Sequence, residues 1–323
     1  MNTPLVTVGV VTYNSAEFIE ETLDSIYNQD YQNIELIVSD DCSIDNTVEI
    51  CKEWISKHEL RFNRAKLVTS EKNTGVSGNS NRALHEAHGE WYKCFDGDDI
   101  LAPQAISSYV RFSNNHPCCS HVVAKSGRLN ENLDKREKER DTFNMINKFY
   151  CREYITAERQ HETLCKLFFV SCITYFAKTE LIRNVGGFDE RFPLREDYPL
   201  IIKTTGTHNK LFLMDDITAF YRVRKNSISH LSSSGAFFSR SEVTYIMDYK
   251  LLYRLENLKG IWKLFHYYSI TLNSFIICNG NSKKNLFCWI LWVVRTLTDP
   301  FVWYRRFVIK RVRLWYKFSA NEV

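Results

Sequence analysis

The chain has 323 residues, 44% of them hydrophobic and 25% charged, which excludes a disordered or fibrous protein and allows one large domain with an appendage. Its formal charge of +4 is unevenly placed: from Lys259 onward there are eleven Lys/Arg against two acids, so residues 1–258 carry about −5. A basic tail holding five of the seven tryptophans, on a mildly acidic body, points to contact with an anionic surface, membrane or nucleic acid.

Residues 5–11 (LVTVGVV) form a short, β-branched run that reads as a buried parallel strand, broken by TYNS. Ala16–Tyr27 repeats apolar residues at Phe18, Ile19, Leu23 and Ile26 with a helical period. IELIVSD (34–40) is a second strand, and Thr47–Trp54 a helix capped by Asp45 or Asn46. AKLVTS (65–70) is a third strand, EKNTGVSGNSN a polar loop, and Asn81–His88 a helix closed by Gly89. EWYKCFD (90–96) is a fourth strand. This alternation predicts a mostly parallel, doubly wound α/β sheet.

Beyond residue 100 the pattern loosens. Arg128–Asp141 is largely charged and reads as a solvated helix or mobile loop. CKLFFVSCITYFAK (165–178) contains a strand, Thr179–Val185 is a short helix, Tyr198–Thr205 is helical, and KLFLMDDITAFYRV is strand-like. Residues from about 240 onward read as helical. The expected division is a catalytic domain over 1–235 and a helical, basic-aromatic region over 236–323.

Ten cysteines without a CxxC pair, several of them in apolar runs, fit a reducing cytosolic environment. The start MNTPLVTVGVVTYN lacks the features of a signal peptide. The longest apolar run of the tail, Leu286–Val294, falls short of the roughly 20 residues a spanning helix needs.

Three acidic clusters carry the chemistry: Asp40-Asp41, Asp96-Gly97-Asp98-Asp99 and Glu196-Asp197. The first two follow strands, where open α/β sheets bind ligands. One such cluster is an ordinary Asp-rich turn; three in this order call for a cation, a base or both. No GxGxxG, GxxxxGK[ST], GxSxG or HExxH motif is present. His85 and His88 lie three apart without a third ligand and read as surface residues.

The succession VTVGVVTYNSAEFIEETLDSIYNQDYQNIELIVSDDCSIDNT, NTGVSGNSNRAL, GEWYKCFDGDDIL and GGFDERFPLREDYPL resembles the family 2 glycosyltransferases of the GT-A fold, especially bacterial enzymes of O-antigen and capsular polysaccharide synthesis. The likeness runs over roughly residues 4–230. It implies an inverting, metal-dependent enzyme that moves a hexose or N-acetylhexosamine from a nucleotide-diphosphate sugar, usually a UDP-sugar, to a lipid-linked glycan. Through the resemblance, Thr12, Tyr13 and Asn14 border the base and Asp41 accepts the uracil N3–H. Asn73 and Arg82 belong to the donor-binding set. Asp96 faces ribose or sugar, and Asp98 and Asp99 hold Mg²⁺ or Mn²⁺. Asp197 is the general base, with Glu196 orienting it or capping the helix that follows. In two places the chain departs from the family: Ser80-Asn81-Arg82 stands where relatives often have Ala-Arg-Asn, so that a donor-contacting basic residue is missing or displaced to Arg82, and Arg224 stands where many carry His, leaving a diphosphate contact with His230 nearby in place of the histidine ligand.

In residues 301–318, Phe301, Tyr304, Val308, Val312 and Trp315 form one helical stripe and Arg306, Lys310, Arg313 and Lys317 another. This pairing predicts an interfacial membrane helix, with a helix packed on the protein as its rival. A nucleic-acid partner has no fold motif behind it. The expected setting is the inner face of the cell membrane, with a polyprenyl-diphosphate-linked acceptor. The rival functions are a non-catalytic sugar-nucleotide or glycan-binding scaffold, which has no need of a base, and a nucleotidyltransferase, which needs a Gly-rich basic loop where TYNSAEF stands.

Overall fold

Seven consecutive buried residues make β1 (Val6–Thr12), and seven more make β2 (Ile34–Asp40). A strand buried at every position has no solvent face, so it must lie inside a sheet covered on both sides. β1 pairs in parallel with β2 on one flank and with β4 (Trp91–Asp96) on the other, and β3 (Arg64–Thr69) lies outside β2. The computed structural model describes residues 3–129, 145–168, 170, 172–222, 235–238, 243, 246 and 256–319.

The helices follow the amphipathic rule. α1 (Ile19–Tyr27) buries Ile19, Leu23 and Ile26, and α2 (Thr47–His58) buries Cys51 and Trp54. With Tyr109 of α4 (Ala105–Asn115) these side chains close over Val6, Val8, Val10, Leu36 and Val38 in one core. α3 (Gly75–Glu86) packs on β1 and β2 without joining that core, which completes the doubly wound arrangement. Gly9 in mid-β1 leaves room for the Tyr92 ring of β4: a Cβ there would overlap the Tyr92 hydroxyl and come within 2.6 Å of its Cζ.

The sheet continues through β5 (Ile100–Leu101), β6 (His121–Leu129), β7 (Phe176–Lys178) and β8 (Phe212–Arg222), in the order β3-β2-β1-β4-β7-β6-β8-β5. β7 runs antiparallel to both β4 and β6, so the parallel half ends at β4. Trp91, Phe176 and Tyr109 stack across that seam, with centroids 4.8 and 4.7 Å apart. Two short helices, α6 (Thr179–Asn184) and α7 (Asp197–Gly206), lie between β7 and β8. Of the polar stretch EKNTGVSGNSN (71–81) expected as a loop, residues 71–74 are one, but Gly75 already opens α3.

The chain divides into two compact units, Met1–Asn132 with Val170–Val223, and Leu133–Phe169 with Arg224–Val323. This differs from a single cut at residue 235, because the segment before β7 joins the C-terminal helices. Most of the charged segment expected over Arg128–Asp141 lies outside the described residues. The second unit contains α5 (Ala157–Lys166), α8 (Ile261–Cys278), α9 (Leu286–Thr298) and α10 (Pro300–Ser319). Side-chain oxygens start three of its helices. Thr156 accepts from the Arg159 amide, Asn285 from those of Phe287 and Cys288, and Asp299 from that of Phe301.

The sequence-predicted stripe of α10 faces inward. Val308 and Val312 are buried, Phe301 and Tyr304 pack on Trp262, and Trp315 meets Phe149 and the Arg152 guanidinium. Among the described residues no single helix is long and apolar enough to cross a membrane; α9 and α10 together meet that test but are bent by 53°.

Candidate active site

The register of the parallel half aligns three strand ends. Thr12 lies opposite Asp40, and Val11 opposite Asp96, so the turns after β1, β2 and β4 open on one edge. Chain order reverses between β1 and β4, and such a reversal leaves a crevice at the carboxyl ends of the strands. At the first turn Tyr13 is 47% exposed and Asn14 has φ 49°. Asn14 accepts from the Ile44 amide at 2.9 Å and donates its own N–H to Ser43 Oγ, which joins the turns after β1 and β2. Thr12 Oγ1 is buried there with no hydrogen-bond partner.

Asp40 and Asp41 are both buried. Asp40 accepts from the Ser43 amide and hydroxyl and so closes its own turn. Asp41 works over a longer range: it accepts from the Thr74 amide at 2.9 Å, the Gly75 amide at 2.8 Å, the Thr74 hydroxyl at 2.7 Å and Arg82 Nη2 at 3.2 Å. A carboxylate on the first amides of α3 suits the positive end of the helix. Arg82 also donates to Ser39 Oγ, the Asp40 carbonyl, Asn79 Oδ1 and Thr74 Oγ1. The guanidinium expected in the donor-binding set is thus engaged within the fold, and so is the carboxylate expected at the base. Asn73 accepts from the Gly75 amide at 3.1 Å.

The third turn is clamped from two sides. The Gly97 amide donates to the Val11 carbonyl, and a Cβ at Gly97 would sit 3.0 Å from Thr12. Arg222, at the end of β8, donates Nε to the Asp98 carbonyl at 2.8 Å and its amide to Asp99 Oδ1 at 2.8 Å, and pairs with Glu21 of α1. Asp96 and Asp98 are half-buried at the crevice, whereas Asp99 is fully buried with Oδ2 lacking a partner. Burial and the neighbouring charges of Asp96 and Asp98 push the Asp99 carboxyl up to about 9. Of the two carboxylates expected on the metal, Asp98 is the one at the open edge. Beneath them Lys93 is wholly buried, donating to the Cys94 and Ile173 carbonyls at 2.8 and 2.7 Å.

Glu196 and Asp197 begin α7, and Asp197 accepts from the Tyr198 amide at 2.7 Å. Burial, then the charges of Asp197 and Asp96, push the Glu196 carboxyl up to about 8; burial raises Asp197 as well, while Arg195 and the Tyr198 amide favour its ionised form. The action of Asp96 on Glu196 puts the second and third acidic clusters in one electrostatic site.

α3 holds the approach to that pair. Asn81 donates to the Phe188 carbonyl and Glu190 and accepts from the Phe188 amide at 2.8 Å; Ser77 Oγ donates to the Phe192 carbonyl, and the Val76 amide to that of Pro193. Gly75 (φ 80°) fits only as glycine, since a Cβ would lie 2.5 Å from the Pro193 carbonyl oxygen. Asn81, where the family pattern led us to expect a missing basic residue, is therefore a brace for the loop before Asp197. Arg222 and Lys93 were not singled out from sequence, because Asp98 and Ile173, which they hold, lie 124 and 80 residues away along the chain. Arg224 and His230 lie outside the described residues. No group of three His, Cys, Asp or Glu among the described residues is arranged to hold a metal unaided.

A doubly wound sheet with acids at its switch point defines a GT-A-type α/β transferase fold. The chain belongs to glycosyl transferase family 2, whose model matches residues 7–174. It is 28% identical, over 72% of its length, to the minor teichoic acid biosynthesis protein GgaB of Bacillus subtilis, of which it spans 25%. It is 30% identical over 43% of its length to the GalNAc(5)-diNAcBac-PP-undecaprenol beta-1,3-glucosyltransferase of Campylobacter jejuni, of which it spans 45%. Among solved structures it resembles S. aureus TarS 1-349 in complex with UDP-GlcNAc, with TM-score 0.55 and 23% identity over 72% of this chain and 62% of that one. It also resembles the mannosyltransferase PcManGT of Pyrobaculum calidifontis in complex with GDP-Man and Mn2+, with TM-score 0.54 and 19% identity over 97% and 87%.

Proposed function

We propose that the chain is an inverting glycosyltransferase that moves a sugar from a nucleotide-diphosphate donor, a UDP-sugar, to a polyprenyl-diphosphate-linked glycan during surface-polysaccharide synthesis. The observation that carries this reading is that the turn carrying Asp96 and Asp98 opens on the strand-end edge at the β1/β4 switch point, with Asp96 close enough to Glu196 for its charge to be felt there. The likeness to the Bacillus teichoic acid protein and the Campylobacter undecaprenol-linked glucosyltransferase supports a surface glycan on a lipid diphosphate, and the nucleotide sugars bound by the two solved structures support the donor class.

In this reading the exposed ring of Tyr13 offers a face to the base, and the Thr12 hydroxyl, orphaned within the fold, gains a partner from the ligand. The donor set fits Mg²⁺ or Mn²⁺: a hard cation is commonly held by one or two carboxylates together with substrate phosphates, and Asp98 with Asp96 supplies two at the open edge. A cation there would neutralise the departing diphosphate. Asp197 takes the proton of the acceptor hydroxyl as that oxygen forms its bond to the anomeric carbon and the diphosphate leaves from the opposite face, which inverts the centre. Burial raises both carboxyls of the pair, while Arg195 and the Tyr198 amide favour the ionised form of Asp197, the form a base needs. The acceptor implies work at the inner face of a membrane, reached through the C-terminal helices.

Asp197→Asn keeps the side-chain shape but removes the base. Turnover should fall by about 10²–10⁴, with donor affinity by calorimetry nearly unchanged; turnover within a few-fold of wild type would take the role from Asp197.

A further inference from the structure

One of the C-terminal helices, α8, is built inside out, and all three expose apolar side chains. On α8 the buried stripe carries His266, Ser269 and Asn273 beside Ile270 and Ile276, while the opposite stripe exposes Leu264, Tyr268 and Phe275. Two of the buried polar groups are tied to the neighbouring helices: Asn273 Oδ1 accepts from Arg295 Nε at 2.6 Å and Ser269 Oγ donates to Asp299 at 2.7 Å, while Asn273 Nδ2 is buried without a hydrogen-bond partner. On α9 Cys288 is buried, while Leu286 is 77% exposed and Trp289 and Ile290 are each 51% exposed. On α10 the exposed apolar residues are Trp303, Phe307 and Leu314, a different face from the stripe predicted by sequence. In water, helices bury the apolar side and expose the polar one. An apolar exterior over a hydrogen-bonded polar seam is the arrangement for an apolar medium.

We infer that the outer face of α8, α9 and α10 inserts into the interfacial layer of an anionic lipid bilayer, so that this unit is a monotopic anchor. The inference deepens the lipid-linked-acceptor reading and rests on it only in taking a membrane as the apolar medium. Charge selects lipid over a second copy of the chain. Lys263, Lys283, Lys284, Arg306, Lys310 and Arg313 are exposed, and the single acid of residues 259–315, Asp299, is buried. Two copies meeting on this face would set cation against cation, whereas anionic headgroups match it. The exposed rings of Trp289 and Trp303 suit the headgroup level.

The test uses the full chain without sugar nucleotide. It should float with phosphatidylcholine–phosphatidylglycerol vesicles and stay largely bound at about 1 M salt, where charge attraction is screened within about 3 Å. Brominated acyl chains should quench part of its tryptophan emission. Trp289→Phe with Trp303→Phe should still float but lose most of that quenching. Ile290→Glu with Phe307→Glu should cut vesicle binding at least tenfold while UDP affinity holds; should this pair also lose UDP binding, the tryptophan pair decides alone. Complete release by salt, equal quenching in wild type and the tryptophan pair, or a sedimenting dimer that ignores vesicles each overturns insertion, the last in favour of a second copy. A chain that inserts yet transfers no sugar leaves this inference standing and defeats only the proposed function; a soluble, active enzyme does the reverse.

Discussion

Asp41→Asn separates two roles for one carboxylate. In the fold Asp41 is 2% exposed and accepts four hydrogen bonds, one from Arg82. An asparagine can keep its oxygen on the Thr74 and Gly75 amides, and the Thr74 hydroxyl can rotate to accept from the new NH₂. Arg82 Nη2 cannot adapt, since it then faces a donor. Breaking a buried pair from one side costs about 3–5 kcal/mol; Arg82 is 21% exposed and keeps four other acceptors, so the lower end, about 3 kcal/mol, applies. For a unit of this size that lowers Tm by roughly 6–12 °C. The assay is a thermal melt by circular dichroism beside a UDP titration. If Asp41→Asn melts within about 1 °C of wild type while donor affinity collapses, the carboxylate is free to read the base and the network account is wrong.

His121 is buried between Tyr175 and the Asn209 carbonyl, and burial lowers its pKa from 6.5 to about 4. The unfolded chain therefore binds the proton more tightly, so stability is full above about pH 6.5 and declines as pH falls toward 4, by up to roughly 3 kcal/mol; urea midpoints should show this slope reduced in His121→Gln. Arg222→Met frees the turn that carries Asp98, and Mn²⁺-dependent UDP affinity should fall about tenfold by calorimetry, with Arg222→Lys recovering little because lysine lacks the fork. Ending the chain after Thr298 strips the partners of Trp262, Phe149 and Arg152, so the second unit should lose protection in hydrogen exchange while UDP binding by the first persists.

The parallel half of the fold was legible because its strands are buried on both faces and so spell themselves as unbroken β-branched runs. α3 was half missed, since Gly75, Ser77, Gly78 and Ser80 are poor helix formers. What holds that first half is tertiary: Asp41 on its opening amides, Asn79 on the Thr12 carbonyl, and the burial of Ser77 and Ser80 against the sheet. The acids of the site were found because carboxylates cluster visibly in sequence. Their division of labour was not, because whether a carboxylate is spent on the fold or offered to a ligand depends on donors such as Thr74, Arg82 and Arg222, each more than thirty residues away. The tail misled for a related reason: periodicity reveals that a helix has two sides, not which side faces its neighbours.

The fit of Gly9 under Tyr92 constrains how this chain can drift. Alanine at 9 is barred while a ring stands at 92, since even phenylalanine there would leave the ring carbon 2.6 Å from the new methyl. The reverse step is open: the Tyr92 hydroxyl is buried without a hydrogen-bond partner, so phenylalanine gives up no bond, and a smaller residue costs a cavity rather than a clash. A descendant that leaves glycine at 9 must therefore move the ring at 92 or give it up. The easier order of the two substitutions runs from 92 to 9, and a library that varies both positions should return side chains at 9 chiefly where the ring at 92 has gone.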